Sequence, residues 1–183
     1  VRPGAVVIDS RGELLARGEI DPQAVHQDQL MSVIADTVER ARITPTQLCV
    51  VAVSVGPGGY TAVRLAVTVA KFIAEVTGAA CVPVPAAHAV AKASGLTGHP
   101  FAVALASKNR SVHLTRFGED GSPQGEGALV EASVLESAGI RTLIADRFLP
   151  ESFRVEAQRL GIAVKDRKST RLNSSHSSVS RMP

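Results

Sequence analysis

The stretch of this chain most suggestive of chemistry is Gly56-Pro57-Gly58-Gly59, where the apolar run Val50 to Val55 meets a glycine turn and then a long apolar segment ending near Val76. Glycines at the start of a helix let backbone N–H groups approach an anion, and the helix dipole favours negative charge there. A phosphate cradle is therefore the first reading to test. A nucleotide loop of the Gly-x-x-x-x-Gly-Lys-Ser/Thr kind needs a lysine directly after its last glycine, but Tyr60 follows Gly59 and no lysine comes before Lys71. The dinucleotide pattern Gly-x-Gly-x-x-Gly fails at its third glycine, where Thr61 stands. Gly56, Pro57, Gly58 and Gly59 read better as a structural turn, which leaves open whether the turn also holds an anion.

Metal and acid–base chemistry find less support. His88 would need a second histidine four residues on to ligate zinc from one helix face, and Lys92 stands there. His26 has no partner ligand at metal spacing, because Asp28, two residues away, faces elsewhere on a helix. A capping or interface role suits His26 better. Asp9, beside Ser10-Arg11-Gly12, fits a turn aspartate bonded to its own backbone. Cys49 and Cys81 form no Cys-x-x-Cys pair and lie in strand-like apolar runs, so both are expected to be buried free thiols in a reducing, cytoplasmic setting. No cofactor is expected, with ATP left open.

The elements that place these residues follow from the apolar periodicity. Val50 to Ser54 is rich in β-branched residues and predicts a strand buried on both faces. The helix from Tyr60 to Val76 puts Thr61, Arg64, Thr68, Lys71 and Glu75 on one polar stripe. Leu65, Val69, Phe72, Ile73 and Val76 make a bulky face suited to packing on the sheet. Ala62, Ala66, Ala70 and Ala74, with Val63 and Val67 beside them, make a second face of small residues that another helix can approach closely. Either the helix is simply buried in a larger core, or it packs on two bodies, one of them another subunit. On the second reading, a large charged residue at Ala66 or Ala70 abolishes partner binding and leaves the lobe folded.

Before this unit, Gly4 to Asp9 and Glu13 to Ile20 predict a β-hairpin. Asp21-Pro22 predicts the start of a helix reaching about Arg42, with Leu30, Met31, Ile34 and Val38 on its apolar stripe. After it come a strand over 80–84 and a short helix from Pro85 to Ala93. Ser94 to Pro100 reads as a link, so the lobes are expected to divide at residue 98, as 1–98 and 99–165. The second lobe predicts strands over 101–106 and 111–117, a Gly-rich loop over 119–127, a short strand, a helix near Val134, a strand over 141–145, a helix over 151–160 and a strand beginning at Ile162. Strand–helix alternation of this kind defines an α/β fold class.

The pI of 9.2 invites a nucleic-acid reading, but the charge is localised. The whole chain carries +3, and so does the segment 166–183 alone, which leaves residues 1–165 neutral. That segment resembles the translation of a common short-read sequencing adapter, from Asp166 to His176 and again from Ser180 to Pro183. It is read as a non-native, disordered tail and set aside, and the natural sequence is expected to differ after Lys165. No run approaches the roughly 20 apolar residues of a membrane span.

The stretch Gly56-Pro57-Gly58-Gly59-Tyr60-Thr61-Ala62-Val63-Arg64 resembles the G-P-G-S-F-T-G-[LV]-R signature of the bacterial TsaB (YeaZ) family. His26, Leu30, Met31 and Ile34 resemble the H-x-x-x-L-[ML]-P-x-[IL] opening of its first helix. Arg2 to Val7 resembles its second strand, and Lys108 to His113 its D-A-[RK]-x-x-[EQ]-V-Y hairpin. Gly59, Ala62, Ser32, Asn109 and His113 depart from the family pattern. The family's first strand is absent ahead of Val1, which the resemblance implies marks a fragment cut at both ends.

The resemblance implies an actin-like fold of two RNase H-like lobes with mixed sheets flanked by helices, here incomplete. It also implies a non-catalytic scaffold subunit. Members support a TsaD-type transferase that places a threonylcarbamoyl group on the tRNA adenosine beside the anticodon, with tRNA contacted only indirectly. The implied interface joins the first two helices to the transferase or to a second copy of the chain. It comprises His26, Leu30, Met31, Ile34, Tyr60, Val63, Arg64, Ala66, Val67, Ala70 and Ala74. An actin-like ATPase acting in its own right is the alternative, distinguished by tight nucleotide binding with hydrolysis.

Overall fold

The structure, a computed structural model, describes residues 4–20, 29–107 and 110–166. The chain divides into two units between Pro85 and Ala86, ahead of the expected boundary at 98. The helix Ala86–Ser94 accounts for the difference, since its Ala87 and Ala91 are buried in a core built around Phe101 and Phe117.

In the first unit, β1 (Gly4–Ile8) and β2 (Leu14–Glu19) form an antiparallel hairpin with an irregularity after Val7. Its turn is held by the Asp9 carboxylate, which accepts the Arg11 and Glu13 backbone N–H groups at 2.9 Å each. Those bonds hold the Asp9 carboxyl below the usual carboxylate range, the Glu13 N–H contributing most. Helix α1 (Leu30–Arg40) lies on this hairpin. The close approach depends on Gly18, where a Cβ would overlap Thr37 Oγ1 and come within 2.7 Å of Val33 Cγ1. Thr37 is fully buried there, and its hydroxyl donates to the Val33 carbonyl at 2.5 Å. The expected N-cap at Asp21-Pro22 lies outside the described residues. The helix ends two residues short of Arg42, which takes the left-handed conformation (φ +56°) and reverses the chain.

A 3-10 turn over Pro45–Gln47 leads into β3 (Val50–Ser54), α2 (Tyr60–Thr77) and β4 (Ala80–Val84). Strands β3 and β4 pair in parallel from Val50↔Ala80 to Ser54↔Val84, with α2 as the crossover. The expectation that β3 is buried on both faces is corrected. Val53 is buried beneath α2, but Val50 on the opposite face is 54% exposed. A β-branched run shows that a strand forms, but not how many layers cover it.

The cysteine expectation is also overturned, since both thiols are free and exposed. Cys49 precedes β3, and Cys81 lies on β4, paired with Val51 and beside the end of α2. Their exposure removes the burial argument for a reducing compartment.

The second unit starts with α3 (Ala86–Ser94) and is built on one five-stranded mixed sheet, in the order β7-β6-β5-β8-β9. Its strands are β5 (Phe101–Ala106), β6 (Val112–Phe117), β7 (Ala128–Val130), β8 (Thr142–Ala145) and β9 (Ala163–Asp166). β5 is central, antiparallel to β6 and parallel to β8, and Phe101 to Ala104 are wholly buried. One face carries Ala102, Ala104 and Leu143 beneath Leu135 and the Phe153 and Ala157 of α4 (Glu151–Arg159). The other carries Phe101, Val103, Leu105 and Ile144 beneath α3. Phe101 and Phe117 stack at 5.1 Å. The helix expected near Val134 is a 3-10 segment, Ala132–Ser137. The tail after Asp166, like Lys108 and Asn109 of the hairpin, lies outside the described residues.

Candidate functional site: the outward face of the crossover helix

Burial along α2 runs opposite to the sequence expectation. Ala70 and Ala74 are 5% and 7% exposed, while Phe72 and Val76 are 64% and 69% exposed. The alanine face is therefore turned onto the unit's own β3–β4 pair, with Val63, Ala66 and Val67 half-buried along its margin. Of the bulky residues, Leu65, Phe72 and Val76 point outward, while Val69 and Ile73 are half-buried. The physical reason is clearance: methyl side chains at four-residue spacing let a helix axis settle close to a sheet only two strands wide. The expectation that a charge at Ala70 spares the fold is corrected with it.

What remains outward is an apolar stripe of Leu65, Val69, Phe72 and Val76, at i, i+4, i+7 and i+11. This spacing fits a helix partner laid alongside. Val69 is half-buried and the other three are exposed. Beside the stripe, Arg64, Thr68, Lys71 and Glu75 are exposed and offer a polar margin. At the head of the helix Tyr60 and Arg64 pair with each other: Arg64 Nη1 donates to the Tyr60 hydroxyl at 3.2 Å, and its guanidinium lies 5.1 Å from the ring centroid. On α1, Met31 is exposed, and Leu30 and Ile34 are half-buried. His26 lies outside the described residues.

The turn ahead of α2 has a structural reason for its glycines. Gly56 adopts φ +93°, a region open to glycine at little cost, and it is buried. A Cβ on Gly58 would lie 3.3 Å from Val63 Cγ2, so the turn is folded down onto the first turn of the helix. Gly59 occupies the N-cap without a side-chain bond to the helix.

At the other end of α2 a shallow, open depression of about 410 Å³ is lined by Lys71, Ala74, Glu75, Gly78, Ala79 and Cys81. His88 packs edge-on against Phe117 at 5.8 Å, in the role of an aromatic core residue. Among the described residues no group of three His, Cys, Asp or Glu side chains is placed to hold a metal, and no helix is long and apolar enough to cross a membrane.

The stripe was legible in part. Its bulky spacing stands in the sequence, but the alanine spacing beside it is equally regular, and periodicity does not say which face meets the sheet.

Two α/β units, one built on a mixed sheet with helices on both faces of its central strands, match an actin-like architecture. The same fold is seen in YeaZ from Pseudomonas aeruginosa, with a TM-score of 0.60 and 19% identity over 88% of this chain and 89% of that one. A second solved structure, of an uncharacterized protein similar to peptidase YeaZ from the same organism, gives a TM-score of 0.63 and 16% identity over 86% and 87% of the two chains. No curated protein sequence matches the chain. A family model matches residues 21–123, more than half of the chain, and the chain belongs to that family: TsaD, tRNA N6-adenosine threonylcarbamoyltransferase. Together these matches support a TsaB (YeaZ)-like protein, in agreement with the resemblance at the Gly56–Arg64 signature.

Proposed function

We propose that the chain acts in tRNA threonylcarbamoylation as a non-catalytic scaffold, docking a TsaD-type transferase subunit against α2 and the exposed side of α1. The family match supports the pathway. The observation that carries the docking role is the outward stripe Leu65–Val69–Phe72–Val76, with three large apolar side chains left exposed on one helix. Fully burying a side chain of this size stabilises by roughly 1.5–3 kcal/mol. Scaled by exposure, Leu65, Phe72 and Val76 together offer on the order of 3–5 kcal/mol before the cost of association. A contribution of that size makes these side chains the main apolar anchors of a helix-on-helix contact, with Arg64, Lys71 and Glu75 at its margin.

Co-purification with a TsaD-type transferase tests the reading. Truncating Phe72 to Ala removes about 1–2 kcal/mol of the buried apolar contribution, which weakens association by roughly 5- to 30-fold. Retention of full affinity by a Phe72→Asp, Val76→Asp double variant refutes docking at this face. Self-association through the same stripe, lost in the same variant while transferase binding persists, reassigns it to a homodimer.

A further inference from the structure

We infer that the outer edge of β7 is a docking site for an extended segment of a partner polypeptide, one in which an apolar residue is flanked by basic ones. The site lies in the second unit and goes beyond the transferase docking proposed for α2.

The backbone comes first. The Ser111 carbonyl accepts the Ser107 N–H at 3.0 Å, so Ser111, and by alternation His113 and Thr115, turn their backbone groups toward β5. Val112, Leu114 and Arg116 turn theirs toward β7, and the Arg116 carbonyl accepts the Gln124 N–H at 2.8 Å. Val112↔Val130 and Leu114↔Ala128 are then the bonded pairs, which leaves the Leu129 N–H and C=O pointing away from the sheet. By the same alternation the N–H groups of Gly127 and Glu131 point outward, and Glu131 is still extended (φ −98°, ψ 169°). The open row from Gly127 to Glu131 spans about 17 Å of extended chain.

Sheet edges that stay unpaired are commonly blunted by charged side chains or proline. The strands β2, β4 and β9 carry such guards. Arg40 Nη2 donates to the Arg17 carbonyl of β2 at 2.7 Å, and Arg17 and Glu19 pair beside it. Pro83 removes a donor from β4, and β9 ends in Lys165 and Asp166. β7 is Ala-Leu-Val, without charge or proline, and its Leu129 is 62% exposed. Its remaining guard is short length, which the extended residues on either side of it offset.

Charge selects the occupant. From Phe117 to Ile140 the sequence carries Glu119, Asp120, Glu126, Glu131 and Glu136 and no Lys, Arg or His, although residues 1–165 are neutral as a whole. Asp120 holds the Ser122 N–H and hydroxyl, and Glu136 meets Arg159. Glu126 and Glu131 stand exposed at the two ends of β7. Among the described residues no three acidic side chains converge to hold a metal. A second copy is disfavoured, because antiparallel self-pairing about Leu129 sets Glu131 of one copy opposite Gly127 of the other, next to its Glu126. A segment with basic residues turns both repulsions into attractions. Antiparallel pairing lets one residue of that segment exchange both hydrogen bonds with Leu129. Its side chain shares the face of Leu129 and is therefore apolar, and the residue two places before it lies opposite Glu131. A second basic residue three places after it reaches toward Glu126. The recognised pattern is basic-x-apolar-x-x-basic, added to the sheet as a further strand.

The test titrates the full chain with the peptide Arg-Thr-Val-Thr-Ser-Arg, capped at both ends, and reads amide hydrogen exchange by NMR. The His113 ring resonances supply a second signal, since a Cβ on Gly127 would meet that imidazole. At millimolar peptide, exchange at Leu129 is expected to slow by about fivefold or more, and the His113 resonances to shift. Ala128 and Val130, already bonded to β6, stay unchanged. A peptide with glutamate in place of both arginines has no effect on the parent chain. The Glu126→Arg, Glu131→Arg variant binds the arginine peptide roughly 2- to 30-fold more weakly and gains the glutamate peptide. The slowing persists in the Phe72→Asp, Val76→Asp variant, which separates this site from transferase docking. Absence of slowing at Leu129, or equal slowing by the glutamate peptide, overturns the inference. Protection without peptide that rises with chain concentration also overturns it, because a second copy is then the occupant.

Discussion

Asp placed at position 70 and Asp placed at position 72 are expected to do opposite things, although the two sites are two residues apart on one helix. Ala70→Asp carries a helix-propensity cost of up to about 0.7 kcal/mol, whereas Phe and Asp have similar propensities, so Phe72→Asp carries almost none. The two substitutions differ chiefly in what the carboxylate meets. Ala70 is 5% exposed against β3 and β4, with no cation beside it in that layer, so Ala70→Asp buries an uncompensated charge. A buried charge without a partner costs on the order of 3–5 kcal/mol, or neutralises at a comparable expense. Phe72 is 64% exposed, and an aspartate there remains hydrated, changing stability by about 1 kcal/mol or less. A unit of some 85 residues has a total stability of roughly 4–13 kcal/mol, so the first change removes a large share of it. Urea unfolding followed by far-UV circular dichroism measures both. Transferase binding supplies the second axis: Phe72→Asp loses binding and stays folded, whereas Ala70→Asp loses binding because the unit is lost. An Ala70→Asp chain within about 0.5 kcal/mol of the parent refutes the assignment of faces on α2.

Other consequences are local. Arg42 holds a left-handed φ of +56° at the end of α1, so Arg42→Gly should raise the urea midpoint, by about 0.5–1 kcal/mol in stability. Gly18→Ala should lower stability by roughly 1–3 kcal/mol, because the added methyl meets Thr37 and Val33 under α1; thermal unfolding reads it directly. Gly127→Ala should cost a similar roughly 1–3 kcal/mol in the second unit, where a Cβ would overlap Thr115 Oγ1 and His113 Cε1. The Asp9 carboxyl titrates below its ordinary value because backbone N–H groups favour the ionised form. Its contribution is therefore complete above the unfolded carboxylate pKa and lost as pH falls through the lowered folded value. Hydrogen exchange in the β1–β2 turn should accelerate over that acidic window in the parent chain and not in Asp9→Asn.

Much of the architecture was legible because it rests on local physics. The strand, glycine turn and helix at residues 50–77 appear where β-branched residues, Gly56 to Gly59 and the apolar helical period place them. The Asp9 turn and the second unit's strands also fall close to their expected positions. The neutral balance of residues 1–165 and the failure of the nucleotide-loop pattern after Gly59 are properties of sequence alone.

What the tertiary structure decided is which side of each element is covered. Two regular faces compete on α2, and only the narrow β3–β4 platform selects the alanines Ala70 and Ala74 for the inside and leaves Phe72 and Val76 outside. Val50 to Ser54 is a strand by composition, yet Val50, Ala52 and Ser54 stay exposed on one face, because among the described residues α2 packs on the other. Helix α3 follows β4 without a break in its apolar pattern and joins the second unit because Phe101 and Phe117 supply its core. Periodicity specifies a face, and the partner of that face is a property of the assembled layers.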